Sequence, residues 1–382
     1  MRFEVQKTNK VFNMIVRAGI IKEAGRNIPT PLRVLNSKEI EHGQNLAKSK
    51  IVNLHFPHPV YELTRYFKPK TIFGLTRNME TSAALMKSLE NLSNLAGNRF
   101  TLFHPIIDKK IEITDEINKK MIALQIGCNV DAVAILDEYN STPRKFNKRL
   151  ENSIQQIKDD EEVLEPMPII KLDSDEKVFA EKINLVVENE NVNILNLNYA
   201  PIKENFHNYL YLIKLASRNK TKNLWIHLSE VRKTFFKKCS PMHLLPLFSF
   251  DSYALNNRPI FFSKNKQKIG EKKEMEITRF DKGTLGFIGL KEHKELYGED
   301  PNCDCFVEIK KKLSESIETY RGADLLSSAL ICHEAVASYR ELLKSRERIL
   351  TQRYKNYLKG KKYLQEPLKK LLKIDLAQQS LS

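Results

Sequence analysis

Short apolar segments alternate with longer amphipathic ones through the middle of the chain, and this alternation restricts the fold more than any other feature. The clearest strand candidates are Ala132–Asp137, Asn193–Tyr199, Leu224–Leu228 and Leu247–Asp251. Helical periodicity covers Glu116–Gln125, Lys145–Lys158 and Phe206–Ser217. Strand, helix and strand at this spacing predict parallel βαβ units. Continuously apolar strands indicate burial on both faces, so the sequence predicts an α/β barrel or a doubly wound sheet.

Carboxylates follow two of the predicted strands. Asp137 and Glu138 come after the apolar run AVAIL, and Asp251 ends the run LFSFD. In a parallel α/β protein the carboxyl ends of the strands carry the active-site loops, so these acids are candidate functional residues. The alternative is that each acid caps the helix that follows it, and the sequence leaves both interpretations open.

The charge of the chain favours a polyanionic partner. Lys and Arg number 63 against 47 Asp and Glu, which gives a formal net charge of +16, and the excess is concentrated between residues 340 and 373. Such a field attracts nucleic acid. The alternative is compositional, because an AT-rich genome inflates lysine and asparagine. We find no lipidation motif that would favour a membrane surface.

Length and hydropathy restrict the class of protein further. The 382 residues accommodate a barrel of roughly 250 residues with a small appendage. No apolar run reaches the roughly 20 residues that cross a bilayer, and the first residues do not resemble a signal peptide, so we expect a cytoplasmic protein. Five cysteines in such a chain do not suggest a disulfide framework.

Several stretches, taken in order, resemble the tRNA-guanine transglycosylases, particularly the archaeal branch and its paralogues that act on DNA. They are Arg17-Ala18-Gly19 with Pro29-Thr30-Pro31, Ile107–Glu138, Asn196–Tyr209, Phe250–Leu255, and Cys303-x-Cys305 with the helix Leu325–Arg348. The resemblance implies a (β/α)8 TIM-type barrel with a C-terminal zinc-binding helical segment. The barrel is expected over residues 1–290, the zinc-binding helical segment over 291–350, and a basic C-terminal helix or tail over 351–382.

The resemblance also implies a reaction. Members of the family exchange a guanine within a polynucleotide for a 7-deazaguanine, through a covalent bond between an aspartate and the sugar. Carried over to this chain, Asp251 is the nucleophile, and Asp137 recognises the base, with Asn198 and Tyr199 in the pocket loop. This scheme requires Asp251 and Asp137 to face one cavity at the barrel mouth. DNA is slightly favoured over tRNA as the polymer.

One family motif is absent from the expected place. The Asp-Ser-Gly-Gly-Phe-Gln loop of the family provides a second carboxylate, but residues 71–105 contain no aspartate. Asp108 lies just beyond this region and is the candidate general acid or base. The loss leaves a second hypothesis, a catalytically silent subunit that binds nucleic acid for an active partner in a homodimer or heterodimer. A third hypothesis is an unrelated α/β-barrel metabolic enzyme.

The zinc pattern of the family is also incomplete. Cys303 and Cys305 are present, Glu308 takes the third position, and His333 follows 28 residues after Cys305. Either Glu308 or Cys332 completes the ligand set that the resemblance implies. Such a structural zinc ion would attach the last helix to the barrel. The alternative is that these residues are ordinary thiols and a helical histidine.

Overall fold

The computed structural model confirms an α/β barrel. It describes residues 1–12, 14–49, 55–108, 111–138, 141–159, 164–232, 239–240, 244–256, 278–289 and 320–361, with the isolated positions 292, 295, 364 and 369. The main sheet is entirely parallel. Its strands are β4 (Leu32–Arg33), β5 (Leu35–Asn36), β6 (Val60–Phe67), β7 (Phe100–Ile107), β8 (Ala132–Ile135), β9 (Glu165–Lys171), β10 (Ile194–Asn198), β11 (Trp225–Val231) and β12 (Ser252–Leu255).

The sheet closes through one broken strand. Only Val34 separates β4 from β5; β4 pairs with β12 and β5 pairs with β6. The Val34 N–H donates to the Tyr253 carbonyl oxygen at 2.8 Å and continues the pairing across the break. β4 and β5 therefore occupy one strand position, and the nine segments form an eight-stranded barrel around one apolar core. This is the TIM-type arrangement.

An antiparallel sheet covers the amino end of the barrel. It contains β1 (Arg2–Val11), β2 (Met14–Glu23) and β3 (Arg26–Thr30). Arg17 of β2 donates to the carbonyl oxygens of Thr221 and Leu224, which lie within the four residues before β11. Strand starts lie at the amino end of a parallel barrel, so these bonds place the small sheet opposite the end where active sites form.

Helices follow the strands as the alternation predicts. They are α1 (Ser37–Lys48), α2 (Pro69–Arg77), α3 (Met79–Ser93), α4 (Asp115–Ile126), α5 (Pro143–Asp159), α6 (Glu176–Val187), α7 (Phe206–Ser217), α8 (Tyr320–Leu350) and α9 (Tyr354–Lys359). Side chains before five of them accept backbone N–H groups at the helix start: Asn36, Asn78, Thr114, Thr142 and Asp175. The predicted helices over 116–125, 145–158 and 206–217 are confirmed, with bounds shifted by at most two residues.

The long helix α8 packs against β4, the first strand of the barrel. Arg33 of β4 is buried and donates to the Ser338 hydroxyl oxygen at 2.5 Å. The same guanidinium pairs with Glu39 of α1 and lies 3.8 Å from Glu334. A short hairpin of β13 (Thr278–Asp281) and β14 (Gly286–Gly289) also contacts this helix. Within the described residues, no helix has the length and apolar character that crossing a membrane requires.

Candidate active site

A cavity of about 350 Å³ lies at the carboxyl end of the barrel, and we call it the mouth cavity. Its walls include side chains from the ends of six consecutive strands or the residues just after them: Tyr66, Asp108, Asp137, Lys171, Asn198 and Glu230. Catalytic residues of TIM barrels come from the ends of several strands on this face. Three carboxylates, an ammonium group, a phenol and an amide therefore line one cavity at the end of the barrel where this fold carries out chemistry.

Asp137 is held by a buried lysine. Lys182 of α6 donates to one carboxylate oxygen of Asp137 at 2.6 Å, and the Ser141 hydroxyl donates to the other at 2.5 Å. Only 1% of the Lys182 side chain and 3% of the Asp137 side chain are exposed. Burial raises the pKa of Asp137, while the charge and hydrogen bond of Lys182 oppose this rise. The pair fixes the orientation of a carboxylate in the cavity wall.

Of the other predicted residues, Asp108 and Asn198 line the same cavity, and Tyr199 does not. The Tyr66 hydroxyl donates to Asp108 Oδ2 at 3.1 Å, so Asp108 has a defined orientation in the cavity. Asn198 Oδ1 is buried and has no hydrogen-bond donor among the residues described. Tyr199 does not line the cavity; it packs against the core, and burial raises the pKa of its phenol to about 12.

Glu230 and Lys171 belong to the cavity, although we did not predict them. Glu230 has a left-handed backbone with a φ of 60°, which is uncommon for residues other than glycine. Its carboxylate lies 4.0 Å from His104 Nε2. Backbone strain of this kind often accompanies functional residues. The signal was available, because Glu230 follows the predicted strand 224–228 as Asp137 follows the run AVAIL.

A polar network continues from the mouth cavity into the barrel interior. His227 Nε2 lies 2.9 Å from Glu62 Oε2, and His227 Nδ1 lies 2.7 Å from the Ser252 hydroxyl oxygen. Ser229 donates to Glu62 and also lies 2.9 Å from Asn196 Oδ1. The Asn196 amide nitrogen is 3.2 Å from His104 Nδ1. Hydrogen bonds thus connect the lower barrel to His104, the neighbour of Glu230.

Glu62 is expected to make the stability of the barrel sensitive to acid. Burial alone would raise its pKa, but the His227 hydrogen bond, the His104 and His227 charges and Ser229 together lower the pKa below the usual value of a glutamate. A depressed carboxyl pKa stabilises the fold above the unfolded value, and this contribution is lost as pH falls through the folded pKa. We expect Glu62→Gln to remove this part of the pH dependence, measured by urea unfolding between neutral and acidic pH. Glu116→Gln, at an exposed carboxylate, is the control, and an identical pH profile for both variants would contradict the prediction.

Asp251 does not lie at the mouth, so the predicted shared cavity with Asp137 is wrong. Its N–H donates to the carbonyl oxygen of Ile226, the second residue of β11, at 2.9 Å, and the Ile226 N–H donates back to Asp251 Oδ2 at 2.8 Å. Glu230 of the mouth cavity is four residues further along β11, or about 13 Å at roughly 3.3 Å per residue. Asp251 therefore lies toward the amino end of the barrel.

The reason is a misplaced strand. Residues Leu245–Phe248 form a 3-10 helix, and β12 begins only at Ser252. Asp251 thus precedes its strand rather than following it. Arg17 Nε donates to Asp251 Oδ1 at 2.8 Å, Nη2 pairs with Oδ2, and the aspartate is fully buried. Burial raises its pKa to about 6, although Arg17 and the Ile226 N–H limit the rise. A carboxylate in this position cannot reach a substrate in the mouth cavity.

A second cleft lies beside this ion pair, at the amino end. It has a volume of about 450 Å³, and Lys7, Arg17, Thr221 and Lys222 contribute to its walls. Among the residues that the structure describes, no carboxylate lines it, and the Arg17 guanidinium is already bonded to Asp251 and Thr221. It therefore offers no carboxylate that could act as a nucleophile or proton acceptor, and the mouth cavity is the better candidate despite its smaller volume.

The predicted zinc ligands are described only in part. Cys303, Cys305 and Glu308 lie outside the described residues. His333 is buried, and its Nε2 donates to the Phe280 carbonyl oxygen at 3.0 Å. Cys332 is fully buried in the apolar core, and burial raises the pKa of its thiol to about 12. Among the described residues, no three metal-ligating side chains come together.

Comparisons with known proteins add no assignment. No family model matches the chain, and no curated protein matches it. Among solved structures, the tryptophan synthase complex of Pyrococcus furiosus is similar over 59% of this chain and 87% of that chain, with 11% identity and a TM-score of 0.32. Tryptophan synthase of M. tuberculosis covers 59% of this chain and 83% of its own, with 9% identity and a TM-score of 0.31. Such weak likeness supports no functional conclusion.

Proposed function

We propose that the protein is a guanine transglycosylase whose active site is the mouth cavity. It exchanges a guanine in a polynucleotide for a 7-deazaguanine. The observation that carries the proposal is the convergence of Asp108, Asp137 and Asn198 on one cavity. These residues are far apart in sequence, and they are also three of those that the family resemblance nominates. The formal net charge of +16 favours a polynucleotide as the substrate, with DNA slightly preferred over tRNA.

Asp137 is the proposed acceptor for the N1 and exocyclic amino edge of guanine. A carboxylate offers about four lone-pair positions, and Ser141 and Lys182 occupy two of them. The Lys182 ammonium favours the ionised form, which accepts hydrogen bonds and cannot donate them. Asn198 Oδ1, buried without a donor among the residues described, adds a second acceptor in the same wall.

The proposed chemistry assigns the two remaining carboxylates of the cavity. Asp108 attacks the anomeric carbon as the glycosidic C–N bond breaks, and Glu230 protonates the departing guanine. Glu230 then takes the N–H proton of the incoming base as its nitrogen attacks the same carbon and displaces Asp108. The Tyr66 hydrogen bond favours an ionised Asp108, as a nucleophile requires. Glu230 adjoins His104, and imidazole exchanges protons near neutral pH.

These roles depart from those that the resemblance implies for two residues. Asp108 replaces Asp251 as the nucleophile, and Glu230 takes the proton-transfer role expected of Asp108. We also propose a structural zinc ion with Cys303, Cys305 and His333 as ligands and either Glu308 or Cys332 as the remaining one.

The second candidate function is a catalytically silent subunit. The observation that favours it is the complete burial of Asp251, the residue to which the family resemblance assigns the role of nucleophile. Such a subunit would bind nucleic acid for an active partner and would retain the mouth cavity only as a binding site.

Incorporation of labelled guanine separates the two candidates. We expect the protein alone to incorporate labelled guanine into duplex DNA or tRNA, and Asp108→Asn to abolish incorporation. Binding of both polymers without any incorporation would contradict the transglycosylase proposal and support the silent subunit. Absence of both binding and incorporation would leave only the unrelated barrel enzyme.

A further inference from the structure

The segment that follows β6, with α2 and the start of α3, exposes two large apolar side chains near the mouth cavity. Phe73 of α2 is 57% exposed and Met79, at the start of α3, is 90% exposed. Among the described residues, only Leu350 joins them as an exposed large hydrophobic side chain. Two of these three side chains thus lie within seven residues of each other, on the segment that follows β6. Tyr66 of β6 lines the mouth cavity, and α2 begins three residues later.

The same segment is strongly basic. Residues 63–79 contain Arg65, Lys68, Lys70 and Arg77 and no carboxylate. The buried side chains of α2 are Ile72 and Leu75. Lys70, Phe73 and Arg77 follow at spacings of three and four residues, so they form one exposed stripe on the opposite side of the helix.

Phe73 and Arg77 are already stacked. The Arg77 guanidinium carbon lies 4.2 Å from the centroid of the Phe73 ring. This contact places the guanidinium over one face of the ring. An exposed aromatic ring with a guanidinium over one face and lysines nearby is the arrangement on which unpaired bases stack and beside which phosphates bind.

We propose that the stripe of Lys70, Phe73 and Arg77 binds single-stranded nucleic acid next to the mouth cavity. This inference rests on the proposed function, because it names the surface that holds the nucleotides flanking an extruded base. Base stacking on Phe73 and Arg77 provides affinity for unpaired nucleotides, while Lys70 contacts the backbone. Charge complementarity favours this partner over a protein surface, because residues 63–79 are basic without exception among their ionisable side chains at neutral pH.

Fluorescence anisotropy with labelled oligothymidylate of about twenty nucleotides tests the stripe directly. We expect Phe73→Ala to weaken binding roughly 5- to 150-fold, while Phe73→Trp keeps the affinity within about threefold, because stacking requires a ring and tolerates its identity. Lys70→Ala should reduce the slope of the logarithm of the binding constant against the logarithm of the salt concentration by about one, because one phosphate contact is lost. Phe73→Ala should leave this slope unchanged. The matched control is Met79→Ala, which removes an exposed apolar side chain without removing a ring.

Two outcomes would overturn the inference. One is oligothymidylate binding by Phe73→Ala that equals wild type, and the other is an equal loss in Met79→Ala, which would indicate a general apolar contact. Thermal unfolding of each variant excludes a folding defect. Binding is measured without any incoming base, so its result is independent of base exchange. Stacking with no exchange activity would contradict only the proposed function, and exchange without stacking would contradict only this inference.

Discussion

Replacing Arg17 by methionine is expected to lower the free energy of unfolding by about 3–5 kcal/mol, the usual cost of leaving a buried charge without its partner. Asp251 is fully buried, and Arg17 supplies two donors to its carboxylate. Removing the guanidinium leaves a buried aspartate at the amino end of the barrel, and this aspartate must then be either protonated or charged without a partner. Urea denaturation of the wild type and the variant at neutral pH measures the difference.

A double replacement distinguishes a structural pair from a catalytic one. Arg17→Met combined with Asp251→Leu should recover most of the lost stability, because apolar groups often replace a buried ion pair without cost. The control is Lys22→Met, which breaks the exposed ion pair of Lys22 with Glu4 and should cost at most about 1 kcal/mol. Equal losses in the free energy of unfolding for Arg17→Met and Lys22→Met would contradict a stabilising role of the buried pair between Arg17 and Asp251.

Replacing Glu230 by glutamine is expected to reduce base exchange by about 10²- to 10⁴-fold, the usual contribution of a positioned acid–base group. Asp108→Asn should reduce it at least as far, because an amide cannot form the covalent ester. Initial rates of guanine incorporation, normalised to folded protein, measure both effects. Neither carboxylate is required by the apolar core, so both variants should unfold close to the wild-type denaturant concentration.

Glu138 is the matched control for this pair. It follows Asp137 at the same strand end, pairs with Lys145 at 2.6 Å and does not line the mouth cavity. Glu138→Gln should keep its exchange rate within about threefold of wild type. A loss in Glu138→Gln as large as in Glu230→Gln would mean that charge at this end of the barrel matters in general, and that Glu230 has no specific role.

The barrel was predictable because its signal is local. Apolar strands separated by amphipathic helices identify parallel βαβ units, and three of the four predicted strands lie where the structure has β8, β10 and β11. The fourth failed for a local reason as well. Leu247–Asp251 is as apolar as a strand, but Pro246 and a left-handed Ser249 shape it into a 3-10 helix and a turn. Because the strand begins only after Asp251, this residue lies at the amino end of the barrel, whereas the prediction placed it at the carboxyl end.

The site was predictable only where a polar side chain lies at, or just after, the carboxyl end of a predicted strand. Asp137 and Asn198 satisfy this condition, and Glu230 would have been found had the strand at 224–228 been extended to Val231. Lys182 could not be inferred, because it reaches Asp137 from a helix 45 residues away. The bond between Glu62 and His227 joins residues 165 positions apart. Polar residues at alternate positions of buried strands were the available signal for that network.

The location of the covalent bond tests the central claim most directly, which is that chemistry occurs at the mouth cavity and that Asp251 is structural. The protein is incubated with a guanine-containing oligonucleotide in the absence of an incoming base and then denatured, and the peptide carrying the attached sugar is identified by mass spectrometry. We predict attachment at Asp108. Attachment at Asp251 would contradict the account.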